Sequence, residues 1–333
     1  VLFISKQNLI TILYYHQLVM LKMILKKSLK HFNGNFQILL MSNNNKKWVY
    51  LIILSFIWGS SYILIKKTLI GLSPLHLGGL RVVFTTLILL IIGFSSIKKI
   101  PRNKWKWIFA TGYIGSFFPS FLFAFAQTEI DSGVAAILNS LTPLATLIIG
   151  VFFYKFIISS KQIIGVIIGL IGSFFLIYEG SSINPDQNFL LVSFIIIASI
   201  FYAISVNMLK FHLQEVPAVS IALGNFLCIL PAAVVILFYS DFMSVDIAND
   251  LEVQKSLFYI IILSIFGSAF AKILFNKFIQ ISSPVFASSV TYTLPIVAVI
   301  WAFLDGETIS IKQFFATAII LLGVFLANKK KSN

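Results

Sequence analysis

Apolar runs of close to 20 residues recur along almost the whole chain, for example over residues 48–66 and 74–93. A helix needs about 20 predominantly apolar residues to cross the hydrocarbon core of a bilayer. The composition agrees, because 59% hydrophobic and 11% charged residues over 333 positions leave too little polar surface for an ordinary water-soluble domain. The main solvent of this chain is therefore expected to be lipid.

The apolar runs predict ten crossings, with a few residues of error at each boundary. Short linkers with breakers such as Asn184-Pro185 separate them, and the longest linker is the acidic stretch from Asp241 to Lys255. No soluble domain is therefore expected between the helices. The predicted spans are 48–66, 74–93, 105–125, 132–153, 161–178, 189–209, 217–239, 256–277, 284–304 and 309–327.

Charged residues divide between the two sides of this arrangement. With ten spans, all but Glu215 of the 11 acidic residues fall on one side, whereas most lysines fall on the other. By the positive-inside rule both termini are expected to be cytoplasmic, in the inner (plasma) membrane of a bacterium. The net charge of +14 therefore reflects orientation, and nucleic acid is not expected as a partner. The lysine-rich side carries Lys46, Lys47, Lys98, Lys99, Arg102, Lys104, Lys106, Lys155, Lys161, Lys210, Lys277 and Lys329 to Lys331.

Residues 1–45 form a basic and apolar N-terminal extension. The apolar stretch from Leu9 to Leu25 is interrupted by His16 and Lys22. This pattern is more typical of a basic interfacial helix than of a span or a signal peptide. The alternative is that the native protein starts at Met41, so no function is assigned to the extension.

An internal repeat divides the remaining chain. Residues 129–154 and 281–306 align at a constant offset of 152, which places Pro143 on Pro295. We therefore expect two five-helix halves, 46–180 and 187–328, followed by a basic tail, 329–333. An odd number of crossings per half inverts the second half relative to the first, as in many secondary transporters. The predicted fold class is an all-α integral membrane protein of ten transmembrane helices in two inverted five-helix repeats.

Several motifs resemble those of one family. They are Ile57-Trp58-Gly59-Ser60-Ser61, Pro74 with Gly78-Gly79-Leu80-Arg81, and the segments 135–143 and 288–295. Over residues 46–328 the chain resembles the EamA-type permeases of the drug/metabolite transporter superfamily, which implies transport of a small metabolite. The family pattern has a glutamate after the fourth and the ninth spans. Glu307 matches the second of these, but Lys155-Phe156 stands at the first.

Two cations are the leading candidates for substrate binding or gating. Arg81 lies about eight residues into the second span, roughly 10 Å from its outer end at 1.5 Å per residue, where an arginine facing lipid would be unfavourable. It therefore either binds substrate or is a structural arginine satisfied by carbonyls and external carboxylates. Lys272 belongs to a stripe with Ser264, Ser268 and Asn276, spaced four residues apart, and either faces a wet cavity or snorkels to the headgroups. Two cavity-facing cations would favour substrates that carry a carboxylate.

Other candidates come from the motif regions. Asn139 neighbours Pro143, and both Pro143 and Pro295 are predicted near mid-span, where they either break a helix to expose backbone or serve packing. Aromatic side chains in the matched motifs could wall a pocket or simply face lipid and neighbours. The three retained as pocket candidates are Trp58, Tyr202 and Tyr292.

No predicted span has an acidic residue near its middle, so the usual carboxylate proton relay is not evident. Glu307, beside Asp305, is the nearest candidate for coupling, and a structural acid is the alternative. No Walker loop, metal-ligand cluster or nucleophile-base arrangement is recognised, so neither an enzyme nor a bound cofactor is expected.

The leading hypothesis is a permease or exporter for a small metabolite such as an amino acid or related carboxylate, with lipid as its other partner. Uptake or exchange of a nucleobase-like or cofactor-like solute is the alternative, and a membrane enzyme or scaffold is less favoured. The oligomeric state is open, with a monomer as one alternative.

Overall fold

The computed structural model describes residues 43–130, 132–178, 189–304 and 311–327, and all regular secondary structure among them is helical. Glu307, the tail 329–333 and nearly all of the extension 1–45 lie outside the described residues. The helices of the first half are α1 (Asn43–Thr68), α2 (Pro74–Gly93), α3 (Arg102–Ala126), α4 (Ser132–Asn139), α5 (Thr142–Tyr154) and α6 (Ser160–Tyr178).

The described helices of the second half follow a similar order. The chain adopts two π-helical turns, one within α3 at Tyr113–Phe117 and one in the second half at Leu263–Phe270. These turns widen the helices locally and shift the register of the side chains that follow. The helices are α7 (Phe189–His212), α8 (Ala218–Tyr239), α9 (Leu251–Ile281), α10 (Pro284–Ser288), α11 (Val290–Leu304) and α12 (Ile311–Ala327).

The structure corrects the fourth and ninth predicted spans, because each of them is broken in two. Pro143 lies in the first turn of α5, directly after the break between α4 and α5, rather than in the middle of a helix. Proline has no N–H to donate to the carbonyl of Asn139, four residues earlier, so the α-helical ladder stops there. Pro295 lies inside α11, and the corresponding break falls at Ser289, closer to the start of the segment.

Six of the described helices are long and apolar enough to cross a membrane: α1, α2, α3, α7, α8 and α9. Shorter apolar stretches lie in α5, α6, α10 with α11, and α12. Large apolar side chains on the outer surface are exposed, as with Phe153 and Phe238 at 79% and 69%. So much exposed apolar surface is unfavourable in water but suits contact with lipid. The fold is that of an integral membrane protein.

Cross-helix hydrogen bonds mark the two ends of the bundle. At one end, Lys104 Nζ donates to the carbonyl of His212 at 2.8 Å, and Lys210 Nζ donates to that of Ile279 at 3.1 Å. We call this end, where α1 and α3 begin and α7 and α9 finish, the basic end. At the opposite end, the Gly71 amide donates to the hydroxyl of Ser256, where α1 finishes beside the start of α9.

Candidate functional site

A cavity lies in the middle of the bundle, enclosed by both halves of the chain. The space between its walls, including the part open to solvent, amounts to about 1030 Å³. Six residues singled out in the sequence line it: Trp58, Arg81, Asn139, Tyr202, Ser268 and Lys272. We call it the central cavity, and its complete lining consists of Trp58, Ser61, Tyr62, Ile65, Arg81, Val82, Gly115, Ser116, Ser120, Phe123, Asn139, Thr142, Tyr202, Ser205, Val206, Phe226, Gly267, Ser268, Lys272, Phe275, Ser288, Val290, Thr291 and Leu294.

Arg81 reaches the cavity from the second turn of α2. Its Nε donates to the hydroxyl of Ser268 on α9 at 2.7 Å, and its side chain is half-buried. The guanidinium carries five N–H donors in a planar fork, so one bond leaves donors for a carboxylate. The sequence expectation that Arg81 faces the interior of the bundle agrees with this position.

Lys272 lies one helical turn beyond Ser268 on α9, and its Nζ donates to the carbonyl of Gly115 on α3. The side chain therefore points across the cavity instead of snorkelling to the headgroups. Arg81 and Lys272 line the same cavity. No aspartate or glutamate is among the described residues that line this cavity, so the two cations have no carboxylate partner there.

The two carbonyl acceptors in the wall arise from the π-helical turns of α3 and α9. Gly115 has no α-helical donor, because the residue four positions later is Pro119, which lacks an N–H. The amide of Ala271 bonds to Phe266 and so bypasses Gly267, whose carbonyl accepts from Trp58 Nε1 at 3.0 Å. Each π-helical turn thus directs one backbone carbonyl oxygen toward the cavity. Such turns often occur at functional sites in helices.

Asn139 joins a chain of polar contacts at the break between α4 and α5. Its Nδ2 donates to the hydroxyl of Tyr62 at 3.0 Å, and its Oδ1 accepts from Thr142 at 3.0 Å and from Ser199 at 3.3 Å. The amide is therefore largely satisfied by the protein. This network holds the broken helix against α1 and α7.

Pro143 and Pro295 leave different backbone carbonyls without an α-helical donor. Pro295 leaves the carbonyl of Thr291 without an α-helical donor, and the hydroxyl of Ser140, at the break of the other half, donates to it at 3.3 Å. The broken segments of the two halves therefore contact each other directly beside the cavity. Neither Pro143 nor Pro295 lines it.

Aromatic side chains form much of the remaining wall. Trp58 packs edge-on against Phe275 with ring centroids 4.9 Å apart, and Phe123 lies 6.0 Å from Tyr62 and 6.1 Å from Tyr202. Trp58 and Tyr202 are half-buried, with part of each side chain facing the cavity. The cavity can therefore accept an apolar or aromatic body next to the two cations.

Two of the predicted site residues lie elsewhere. Tyr292 is completely buried against Gly169 of α6, and its hydroxyl donates to the carbonyl of Val166 at 2.7 Å. Asn276 is turned toward α8, where its Nδ2 donates to the carbonyl of Ala218 at 3.2 Å. Four residues advance an α-helix by about 400°, so each step along the predicted stripe rotates it by about 40° away from the cavity.

Gly115 and Ser116 line the cavity but were not singled out from the sequence. Both belong to a Gly-Ser pair that recurs as Gly267-Ser268 at the repeat offset of 152. The pair lies outside the aligned segments 129–154 and 281–306. Extending that alignment toward the N-terminus at the same offset would have identified it. The hydroxyl of Ser116 is buried and has no hydrogen-bond partner among the described residues.

A second cavity opens at the basic end. Its lining includes Thr146 and Gly150 of α5 together with Lys210 of α7. Asn207 lies between the two cavities on α7, is fully buried, and donates from Nδ2 to the carbonyl of Thr146 at 3.0 Å. Its Oδ1 has no hydrogen-bond partner among the described residues. The layer around Asn207 and Thr146 therefore separates the central cavity from the basic end.

Comparisons with known proteins agree with this architecture. The chain is 25% identical over 292 residues to an uncharacterized transporter of Archaeoglobus fulgidus, which covers 86% of this chain and all of that protein. It is 22% identical over 281 residues to the protein PagO of Salmonella typhimurium, covering 84% and 91% of the two chains. A crystal structure with 14% sequence identity superposes with a TM-score of 0.67, over 85% of this chain and 96% of the other. The family model described as the EamA-like transporter family matches residues 46–178 and again 190–329. The chain therefore belongs to the EamA-like transporter family and is a membrane transport protein.

Proposed function

We propose that this protein is a secondary transporter of the inner membrane that moves a small carboxylate-bearing metabolite, such as an amino acid or organic acid, through the central cavity. Ten crossings, counted with α4 and α5 as one and α10 and α11 as one, form two inverted five-helix halves. Rocking of residues 46–180 against 187–328 exposes the cavity alternately to the two sides of the membrane.

The observation that carries the substrate assignment is the cation pair of the cavity. Arg81 and Lys272 lie on helices of different halves and face one space whose described lining has no carboxylate. Arginine recognises carboxylates through paired N–H donors in its planar fork. A carboxylate bound here would contact both halves, so its binding is linked to their relative position.

Two further observations support the inverted halves. The family model matches two separate segments, one in each half. The π-helical turns contain Gly-Ser pairs at the offset of the repeat and contribute opposite walls of the same cavity. A site shared by equivalent elements is what alternating access between two similar bundles requires.

Orientation follows from the lysines and arginine gathered at the basic end, including Lys104 and Lys210. The positive-inside rule supports an orientation in which this end faces the cytoplasm, and we propose that both termini lie on that side. The second cavity is then the cytoplasmic approach to the central one.

The test is exchange of labelled solutes by the purified full-length protein in proteoliposomes. Panels of amino acids, organic acids and nucleobases are compared, and we expect flux for members of at least one of the first two panels. Arg81→Ala should fold but lose at least about tenfold in flux, which corresponds to 1.4 kcal/mol. Arg102→Ala, at an exposed arginine of the basic end, is the control and should transport normally.

Each alternative has its own outcome. Unchanged flux in Arg81→Ala would reject the assigned site. Flux of nucleobases without flux of carboxylates would favour the alternative substrate class. Absence of exchange for all three panels would count against a role in moving these metabolites.

A further inference from the structure

We infer that the substrate carries a net negative charge, as an organic anion with an apolar or aromatic body and no ammonium group. This inference rests on the proposed function, because it concerns the solute held in the central cavity. It separates organic acids from amino acids, both of which carry a carboxylate.

The charge of the cavity sets the first condition. Arg81 and Lys272 are half-buried within the bundle, and both face the same space. Charges in a low-dielectric interior interact more strongly than they do in water, so a single carboxylate is attracted by both side chains. An ammonium group next to that carboxylate would be repelled by the same two cations.

The acceptors set the second condition, because an ammonium ion needs oxygen atoms that are free to accept. The carbonyl of Gly115 already accepts from Lys272, and that of Gly267 accepts from Trp58. Oδ1 of Asn139 accepts from two hydroxyls, so the acceptors with the highest charge density in this wall are engaged. A zwitterion would therefore leave its ammonium group poorly satisfied.

Donors for an anion, in contrast, remain available. Arg81 uses its Nε on Ser268. The remaining guanidinium N–H groups can donate to a carboxylate together with Lys272. The arrangement is complementary to a group with several acceptors and no donor.

The body of the substrate contacts the opposite wall. Trp58, Phe123 and Tyr202 present ring surfaces to the cavity, and Leu294 and Val206 add aliphatic surface. Aromatic rings alone can also bind organic cations, but adjacent positive charges oppose that use here. The ligand class that fits both walls is an arylalkyl or branched alkyl carboxylate.

The experiment compares ligands that differ only in charge. Hydrocinnamate is the anion, phenylalanine the zwitterion, phenylpropylamine the cation and hydrocinnamide the neutral form. Isocaproate and leucine form an aliphatic pair. Binding to the full-length protein is measured near neutral pH by thermal shift and by tryptophan fluorescence, and labelled hydrocinnamate and phenylalanine are followed into proteoliposomes.

We expect each anion to bind at least about tenfold more tightly than its zwitterion, with the amine weakest. Lys272→Met should reduce that preference about tenfold, whereas Lys277→Met, an exposed lysine of the same helix, should leave it unchanged. Arg81→Gln provides a second charge-removing variant if Lys272→Met does not fold. Equal or tighter binding of phenylalanine and leucine, or a preference that is the same in wild type and both charge-removing variants, would overturn the inference.

The two proposals fail differently. If none of these ligands binds while another solute is exchanged in a manner that depends on Arg81, the net-anion inference is wrong and the transport function stands. If no solute from the wider panels is exchanged, the transport proposal itself fails.

Discussion

Gly115 and Gly267, which are 152 positions apart, lie in π-helical turns at the wall of the central cavity, and each gives its carbonyl to a cavity side chain. Lys272 donates to the first and Trp58 to the second. Each bond crosses from one half of the chain to the other. In a regular α-helix both carbonyl oxygens would accept hydrogen bonds from their own helix. Here they accept from side chains of the other half and so join the two halves at the cavity wall.

Gly115 also allows a close approach between α3 and α7. A Cβ built on Gly115 would lie 2.8 Å from Cβ of Ser205 and still closer to its hydroxyl. Gly115→Ala is therefore expected to destabilise the protein by about 1–3 kcal/mol through overpacking and to reduce flux. Thermal unfolding of the detergent-solubilised protein and exchange in proteoliposomes measure the two effects.

A second substitution makes this prediction specific. Ser205→Gly added to Gly115→Ala should restore most of the lost stability, less about 0.5–1 kcal/mol for a glycine inside a helix. Ser205→Ala should restore only part, because it removes the hydroxyl but keeps Cβ. If the double variant with glycine is no more stable than Gly115→Ala alone, the contact with Ser205 is not the cause.

Trp58 is expected to contribute to stability through its bond to the carbonyl of Gly267. Trp58→Phe keeps a ring against Phe275 but removes the indole donor, so it should destabilise by about 1 kcal/mol. Trp301→Phe is the matched control, because its Nε1 donates to Ser60 at a site where the side chain is 44% exposed. An equal loss of stability in both variants would show that the buried bond of Trp58 contributes no more than the exposed bond of Trp301.

Much of this architecture could be predicted from hydropathy and charge alone. The interior position of Arg81, whose Nε bonds to Ser268, is what the unfavourable energy of an arginine facing lipid predicts. Helix breaks and π-helical turns are harder to predict from the sequence. Pro119 and Pro143 cause them through the loss of single hydrogen bonds, which a hydropathy pattern does not record. Asn276 shows the same limit, because a four-residue spacing drifts around a helix and the rotation decides which neighbour it contacts.

Substitutions at Tyr202 and Tyr292 distinguish a side chain that contacts ligand from one that only packs within the protein. Tyr292→Phe removes the bond to the carbonyl of Val166 and should lower stability by about 1 kcal/mol while leaving ligand binding unchanged. Tyr202→Phe keeps the ring but removes the hydroxyl of a side chain that lines the cavity, and it should change ligand affinity more than stability. Unfolding curves and binding isotherms on both variants test this, and a ligand affinity that changes only in Tyr292→Phe would contradict the assignment.

Asn207 is expected to control access to the central cavity from the basic end. Its Nδ2 ties α7 to the carbonyl of Thr146 on α5, at the layer between the two cavities, while Oδ1 stays buried without a partner among the described residues. Loss of one hydrogen bond of about 1 kcal/mol would shift an opening equilibrium roughly fivefold. Asn207→Ala should therefore open this layer more often.

The chain suits a direct measurement of that opening, because Cys228 is its single cysteine. In a Cys228→Ser background, Ser205→Cys places a thiol in the central cavity, and a membrane-impermeant maleimide is added to the face that carries the basic end. Labelling should be about fivefold faster when Asn207→Ala is also present, since the reagent reaches the thiol only after the layer opens. Asn207→Leu removes the same hydrogen bond but fills the space, so it should also label faster than its background. Acceleration in Asn207→Ala alone would assign the effect to lost volume rather than to the hydrogen bond. A labelling rate that is the same in Asn207→Ala as in its background would show that the tie to Thr146 does not limit access, and the barrier would then belong to the apolar packing around Val206.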